Sequence, residues 1–475
     1  MWKKLFSQIA MTFALIVLFV LFGFGSELCA QQPASASEDA GKPAKEVAAP
    51  KSSEQKLLDA VAAGDLEATK AALKDASPDV QNAQGYGAMS VAAHRGFREI
   101  VELLLSGGAK VNATDKRLGA TVLHWAVQRD DLELSNTLIE AGANVHATTT
   151  DGMKPLHWAA RSGKVEQVKL LLSAKADPLA ITRSKASVFH YSAGAGDFDS
   201  MTLLLGAGCA AGAADQQGLT PLHWLARGGH TKALSLLLDA KIEIDPTSID
   251  GTTPLHLAVQ NGHEEMLDAL MKAGADEAVV ALHGTNSLHY ACSGGHVKLA
   301  KRFLAAGMDI NAQMKNGTTS LVLAAERGHT EVSKTLLEAG AKIETPTNDG
   351  ASPLFFAAQN GHLPIVKLLL EHDANIDSQS KSGTTPLYMA VSRGRLPIVK
   401  ALLDAGCDLG TKTIRGSTVL HAVSEAREGN EEVTTLLLAA GADASLKNKD
   451  GYTAVDLARI RQKEALLKIL QGDSP

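Results

Sequence analysis

From Glu54 onward the apolar positions of this chain arrive in two short bursts that come back again and again. In one such stretch Leu255 and Ala258 precede Gly262, and Met266, Leu267, Leu270 and Met271 follow it. Spacings of three and four predict two amphipathic helices separated by a break at the glycine. Thr253 is placed to cap the first helix, since its hydroxyl can accept from an otherwise orphan backbone N–H. Pro254 suits the first helical position, where a missing N–H costs nothing. Ala258 is small enough for helices to approach closely, and Gly262 can end the helix in a left-handed conformation. His256, third in the helix, can tie back to Thr253 or to a neighbouring turn. Asp250-Gly251 predicts the turn that leads in.

The same phrase recurs twelve times. It reads TVLHWAV at Thr121, KPLHWAA at Lys154, SVFHYSA at Ser187, TPLHWLA at Thr220, TPLHLAV at Thr253 and NSLHYAC at Asn286. Weaker copies start at Gly87, Thr319, Ser352, Thr385, Thr418 and Thr453. The step is 34 once, then 33 nine times running, then 35. Each copy closes on a second phrase, such as GHTEVSKTLLEAGA from Gly328. The pattern resembles the ankyrin repeat, with its T-P-L-H-x-A-A, G-H and leucine-rich A-G-A segments, over roughly Glu54 to Leu470. The resemblance implies an all-α repeat solenoid of helix-turn-helix units joined by β-hairpin turns. It also implies a concave groove, used for binding proteins, lined by the ends of the first helices and the hairpin tips.

That architecture changes how the length is read. At 475 residues the chain exceeds the roughly 250–300 that one globular core holds, but a solenoid buries its core only between neighbours. The repeat body is expected to span 54–475, with an N-terminal cap at 54–80 and a charged C-terminal cap at 450–471. Residues 31–53, rich in Pro, Ala and Ser, read as a disordered linker. Before it, Lys3 and Lys4 precede an uncharged apolar run, Ile9 to Gly25, and then small residues. Residues 1–30 therefore read as a signal peptide cleaved after Ala30, or as a membrane anchor, with lipidation at Cys29 the weakest option. In each case the repeats are exported, to the periplasm or beyond, and touch a membrane only through an uncleaved N-terminus.

Sixteen histidines invite a catalytic or metal reading. Seven occupy the TPLH slot (His124, His157, His190, His223, His256, His289 and His421), and five follow the inter-helix glycine (His230, His263, His296, His329 and His362). Equivalent slots of a solenoid lie in a line, whereas metal ligands must converge. No G-x-S-x-G, C-x-x-C, H-E-x-x-H or phosphate-loop motif is present. The chain is thus expected to be no enzyme and to hold no cofactor or metal. Cys209 and Cys407 lie six periods apart, with Cys292 between them, so no internal disulfide is expected.

The expected function is a monomeric protein-binding scaffold; a secreted effector acting on a host or competitor cell is the alternative. Candidate contacts are Arg95, Arg129, Arg161, Arg227, Arg327 and Arg393 at the ends of first helices, with Gln260 and Asn261 in the equivalent place. Basic tips add Lys116, Arg117, Arg183, Lys185, Lys315, Lys381, Lys412, Arg415, Lys447 and Lys449, while carboxylates such as Glu264, Glu265, Glu331 and Glu338 sit on second helices. The chain's net charge of −6 argues against nucleic acid; a basic groove on an acidic body suits an acidic protein. Trp125, Trp158 and Trp224 follow the TPLH histidine and have two readings, an exposed binding ladder or packing between first helices. The run Val279, Val280 and Leu282 either meets a partner or folds inward. The Gly-rich fourth unit, Ser187 to Ala214, is expected to be the softest joint.

Overall fold

The computed structural model describes residues 51–426 and 431–472. The segment read as signal or anchor, and almost all of the linker, lie outside the described residues. From Ser52 the chain forms one compact unit. Its described residues contain α-helices in pairs, from Ser53–Ala63 with Leu66–Ala72 to Ala454–Ile460 with Glu464–Gln471, and no strand. The main contacts between elements join first helix to next first helix, second to next second, and the two helices of a pair.

The TPLH leucine makes that stack cohere. Leu123, Leu156, Leu222 and Leu288 have no exposed surface, and Leu255 is equally buried. Each such side chain is worth about 1.5–3 kcal/mol of burial. Phe189 and Phe303 are the largest fully buried side chains. The second-helix stripe is likewise inside at Met266, Leu267 and Leu270, while Met271 packs on the core partly exposed.

The caps follow the sequence reading. Thr253 is extended (φ −101°, ψ 165°), and its hydroxyl accepts from the His256 N–H at 3.4 Å while the His256 ring accepts from the Thr253 N–H at 3.2 Å. Gly262 ends the first helix with φ 75°. The fourth unit keeps regular helices, Val188–Ala195 and Phe198–Gly206; regularity instead breaks one unit later, where a 3-10 turn at Thr231–Ala233 precedes Leu234–Asp239.

The connecting hairpins are too short to make strands. One bond typically closes each, such as the Ser248 N–H to the Thr252 carbonyl at 3.0 Å. Among the described residues only isolated bridges appear, at Gln81–Gly87, Thr114–Thr121 and Ile181–Ser187. Tip is tied to tip instead. The Lys116 N–H donates to the Gly85 carbonyl at 2.9 Å, Leu282 to Asp250 at 2.9 Å, and the series runs unbroken to Lys449 on Arg415 at 2.9 Å. The close approach requires glycine at the bend: Gly251 has φ 78°, and a Cβ there would lie 2.8 Å from the Leu282 nitrogen. Lys185 takes this bend at φ 61° without being glycine.

Candidate functional site

The two histidines of the opening stretch face opposite ways. His256 Nδ1 accepts from a backbone N–H, which can only donate, so the ring hydrogen sits on Nε2. Nε2 then donates forward, to the Val279 carbonyl at 3.0 Å. His223 donates in the same sense to Thr252 at 2.9 Å and His289 to Ala312 at 3.0 Å. Burial pushes the imidazoles of His124, His157 and His256 down to about 4, with the backbone carbonyls at Met153, Ala180 and Val279 opposing it. They are neutral at physiological pH; His124 and His256 act as struts, at 3.3 Å and 3.0 Å from their carbonyls, while the buried Nε2 of His157 closes no hydrogen bond.

The histidine after the glycine reaches backward. His230 meets the Gly194 carbonyl at 3.0 Å, His263 that of Arg227 at 2.9 Å, His296 that of Gln260 at 2.9 Å, His329 that of Ser293 at 2.9 Å and His362 that of Glu326 at 3.1 Å. These carbonyls belong to the frayed ends of first helices, which need external donors. The units that begin at Thr220, Thr253 and Asn286 carry both histidines and are held forward by one and backward by the other. Among the described residues no group of three His, Cys, Asp or Glu is placed to hold a metal ion. Cys209, Cys292 and Cys407 are buried free thiols, each raised by burial to about 12, and so unreactive.

The arginines named from sequence divide. Arg95 donates back to the Ala62 carbonyl, and Arg129 to that of His94 at 3.1 Å. Both do for early units what the second histidine does later. Arg227 is half-buried, and burial lowers its pKa. Arg161, Arg327 and Arg393 are exposed. Gln260 is half-exposed, and the Asn261 amide folds onto the Leu257 carbonyl at 2.8 Å.

The aromatics interleave with histidines between first helices. Trp158 stands edge-on to His124 with ring centres 5.1 Å apart and to Trp125 at 5.4 Å; Trp224 meets His190 at 5.7 Å and Tyr191 at 5.1 Å. Trp125 is 6% exposed, which makes it packing, whereas Trp158 and Trp224 keep part of their surface open. Tyr290 stacks on His256 at 4.6 Å, and its hydroxyl lies 2.9 Å from that of Thr252.

The tips carry side chains that the fold leaves unused. Pleating splits the apolar run left open above: Val279 is half-buried, while Val280 and Leu282 are 55% and 56% exposed. Ile249 and Ile414, 70% and 61% exposed, occupy the same tip slot as Leu282 and were missed. The signal was available, because the residue after each lead-in position is polar in most units (Lys116, Arg183, Lys315, Lys381).

Models described as ankyrin repeats match residues 57–149, 156–205, 189–281, 278–347, 343–413 and 415–449. The chain is 37% identical over 78 residues to the nuclear factor NF-kappa-B p105 subunit of Mus musculus, a match covering 16% of this chain and 8% of that protein. It is 36% identical over 98 residues to the RelA-associated inhibitor of Mus musculus (20% of this chain, 12% of that protein). It is 34% identical over 98 residues to the B-cell lymphoma 3 protein homolog of Mus musculus (21% and 20%). The chain thus matches a fifth or less of the length of these relatives. The human ASB11 ankyrin repeat domain, a solved structure, aligns with TM-score 0.43 at 33% identity, covering 47% of this chain and 99% of that one.

Proposed function

This chain belongs to the ankyrin-repeat family, and from that premise we propose that it is an exported, non-enzymatic scaffold that holds a protein partner on its concave face. The observation that carries this is the division of labour among side chains. Leucines, histidines and capping threonines are consumed by stacking, while the tips are locked to one another and point Lys, Ile and Leu side chains outward. A rigid row of unused side chains suits recognition, because little ordering is left to be done on binding. Ankyrin repeats bind protein partners, and the name RelA-associated inhibitor describes a relative that associates with another protein.

Export rests on the basic start, apolar run and small residues of 1–30. The binding reading assigns Arg161, Arg327, Arg393, Trp158 and Trp224 to the partner, since these remain accessible; Arg95 and Arg129 serve the stack. The partner is expected to be acidic. Crosslinking the mature protein in its own compartment, followed by mass spectrometry, tests both parts. One dominant protein crosslink, lost in the R161E/R327E/R393E variant, is expected. Recovery of the protein only from the cytoplasm defeats the export reading, and an unchanged crosslink in the variant defeats the groove assignment.

A further inference from the structure

Charge is distributed unevenly along the tips. The central tips, 213–218, 247–251 and 280–284, contain no lysine or arginine. The last three, 379–383, 411–416 and 446–452, contain Lys381, Lys412, Arg415, Lys447 and Lys449 against one carboxylate, Asp450. All five cations are exposed. The ion pairs of this end of the body use other residues, Lys400 with Glu432 and Arg459 with Asp456. Lys412 lies within electrostatic reach of Asp443 and Lys447 of Asp456, yet among the described residues no side-chain ion pair closes on any of the five, and they repel one another in a chain whose net charge is −6.

The tip bonds hold these cations in register. The Ile414 N–H donates to Ser382 at 2.9 Å and the Lys449 N–H to Arg415 at 2.9 Å, so the three tips form one edge. Ile414, 61% exposed, stands in the middle, and Tyr452, 44% exposed, stands beside the last. An apolar side chain inside a cationic rim is the layout of a small binding hot spot, with a central anchor and charges that steer and register.

We propose that the last three tips form a docking strip for an extended acidic segment of a protein partner, with one apolar partner side chain seated on Ile414. The inference rests on the scaffold reading above and locates its partner contact. A nucleic acid fits less well, because Tyr452 is the one exposed ring that the strip offers for bases to stack on.

Fluorescence anisotropy on the full-length protein tests this. The probes are a labelled peptide of alternating Glu and Asp around a central Leu, its Lys-substituted counterpart, and a single-stranded oligonucleotide. The acidic peptide is expected to bind, more weakly as salt rises, and the Lys peptide not to bind. K412E/R415E/K449E should weaken binding about tenfold and I414S a few-fold, with unchanged helical circular dichroism. Three reversals on outward surface, K272E/K301E/K342E, should leave it unchanged. Equal affinity for the wild type and the strip variant overturns the proposal, as does an oligonucleotide bound as tightly as the peptide. A native crosslink that survives the strip reversal also overturns it while leaving the scaffold reading standing; a protein that binds the peptide yet yields no crosslink reverses that outcome.

Discussion

The early and middle units solve one joint with different chemistry. From unit five to unit nine the residue after the glycine is His230, His263, His296, His329 or His362, and a ring N–H reaches the preceding helix end. In the first four units that slot holds Phe97, Asp131, Lys164 and Asp197. There Arg98 pairs with Asp131 at 2.6 Å and also contacts Glu133, and Lys164 pairs with Asp130 at 3.2 Å. Phe97 packs its ring against Gly64, where any Cβ would collide with it. The freed carbonyls are taken by Arg95 and Arg129. The helix-end carbonyl needs a donor in every unit, but the stack does not care which side chain supplies it. The early joints therefore pair two charges, whereas the middle ones end on a neutral carbonyl, and that difference is measurable.

Acid should separate regions most strongly. A histidine whose folded pKa lies below its unfolded value near 6.5 favours the fold above that pH; stability falls as pH drops from 6.5 to about 4 and then levels off. With His124, His157 and His256 together the loss is on the order of several kcal/mol. Units with Val322, Phe355 and Tyr388 in that slot lack these deeply buried rings, and His329, lowered by burial to a lesser extent, is the histidine that carries such sensitivity there. Hydrogen exchange near pH 5 should show protection lost across 121–290 before 319–402; uniform loss would show that the buried rings are not what acid attacks.

Core truncation should not distinguish the regions. Leu123→Ala in an ionic-joint unit and Leu255→Ala in a neutral-joint unit remove equally buried side chains, so each should cost about 2–5 kcal/mol in urea unfolding. A much smaller loss at Leu123 would mean that the early units are loosely packed as well as differently joined.

The joints themselves give a smaller, sharper contrast. His263→Ala should cost about 1 kcal/mol, independent of salt. Asp131→Asn, which can keep the helix cap but loses the charge facing Arg98, should cost about 0.5 kcal/mol at low salt and less at high salt. Equal salt responses would erase the comparison. The smallest effect is expected at the fourth tip, where Lys185→Gly relieves a left-handed backbone and, less the backbone entropy that glycine adds, should raise stability by about 0.3 kcal/mol. Exchange data showing Ser187–Ala214 as the best-protected segment would contradict its ranking as the softest joint.

The fold was legible because each position of the 33-residue phrase has one local job. Thr253, Pro254, Leu255 and Gly262 could be assigned from capping, helix entry, burial and helix exit without knowing what lay beyond the unit. The joints were not legible, since they depend on the offset between successive units. Nothing in the sequence around His256 and His263 says that one faces forward and the other back. Arg129 reads as a free groove residue until the His94 carbonyl is placed within its reach. The tryptophans stayed ambiguous for the same reason: Trp125 and Trp158 share a slot, and only their neighbours' rings decide how much of each is covered. The isoleucines at tips were missed because a single apolar residue in a turn carries little weight until its exposure is known.

The tip ladder has a consequence for how such a molecule grows and shrinks over generations. Every bond in it joins one tip to the next, at an offset of 32 residues in most units, and the histidine struts likewise reach a neighbouring unit. Excising one whole period, from Thr253 to Thr285, brings Asn286 and His289 to where Thr253 and His256 had been, and the junction finds matching donors and acceptors on both sides. Unequal recombination between such similar stretches yields a shorter or longer chain that still folds. Its reach changes in whole units, and the lengthening needs no new invention at the seams.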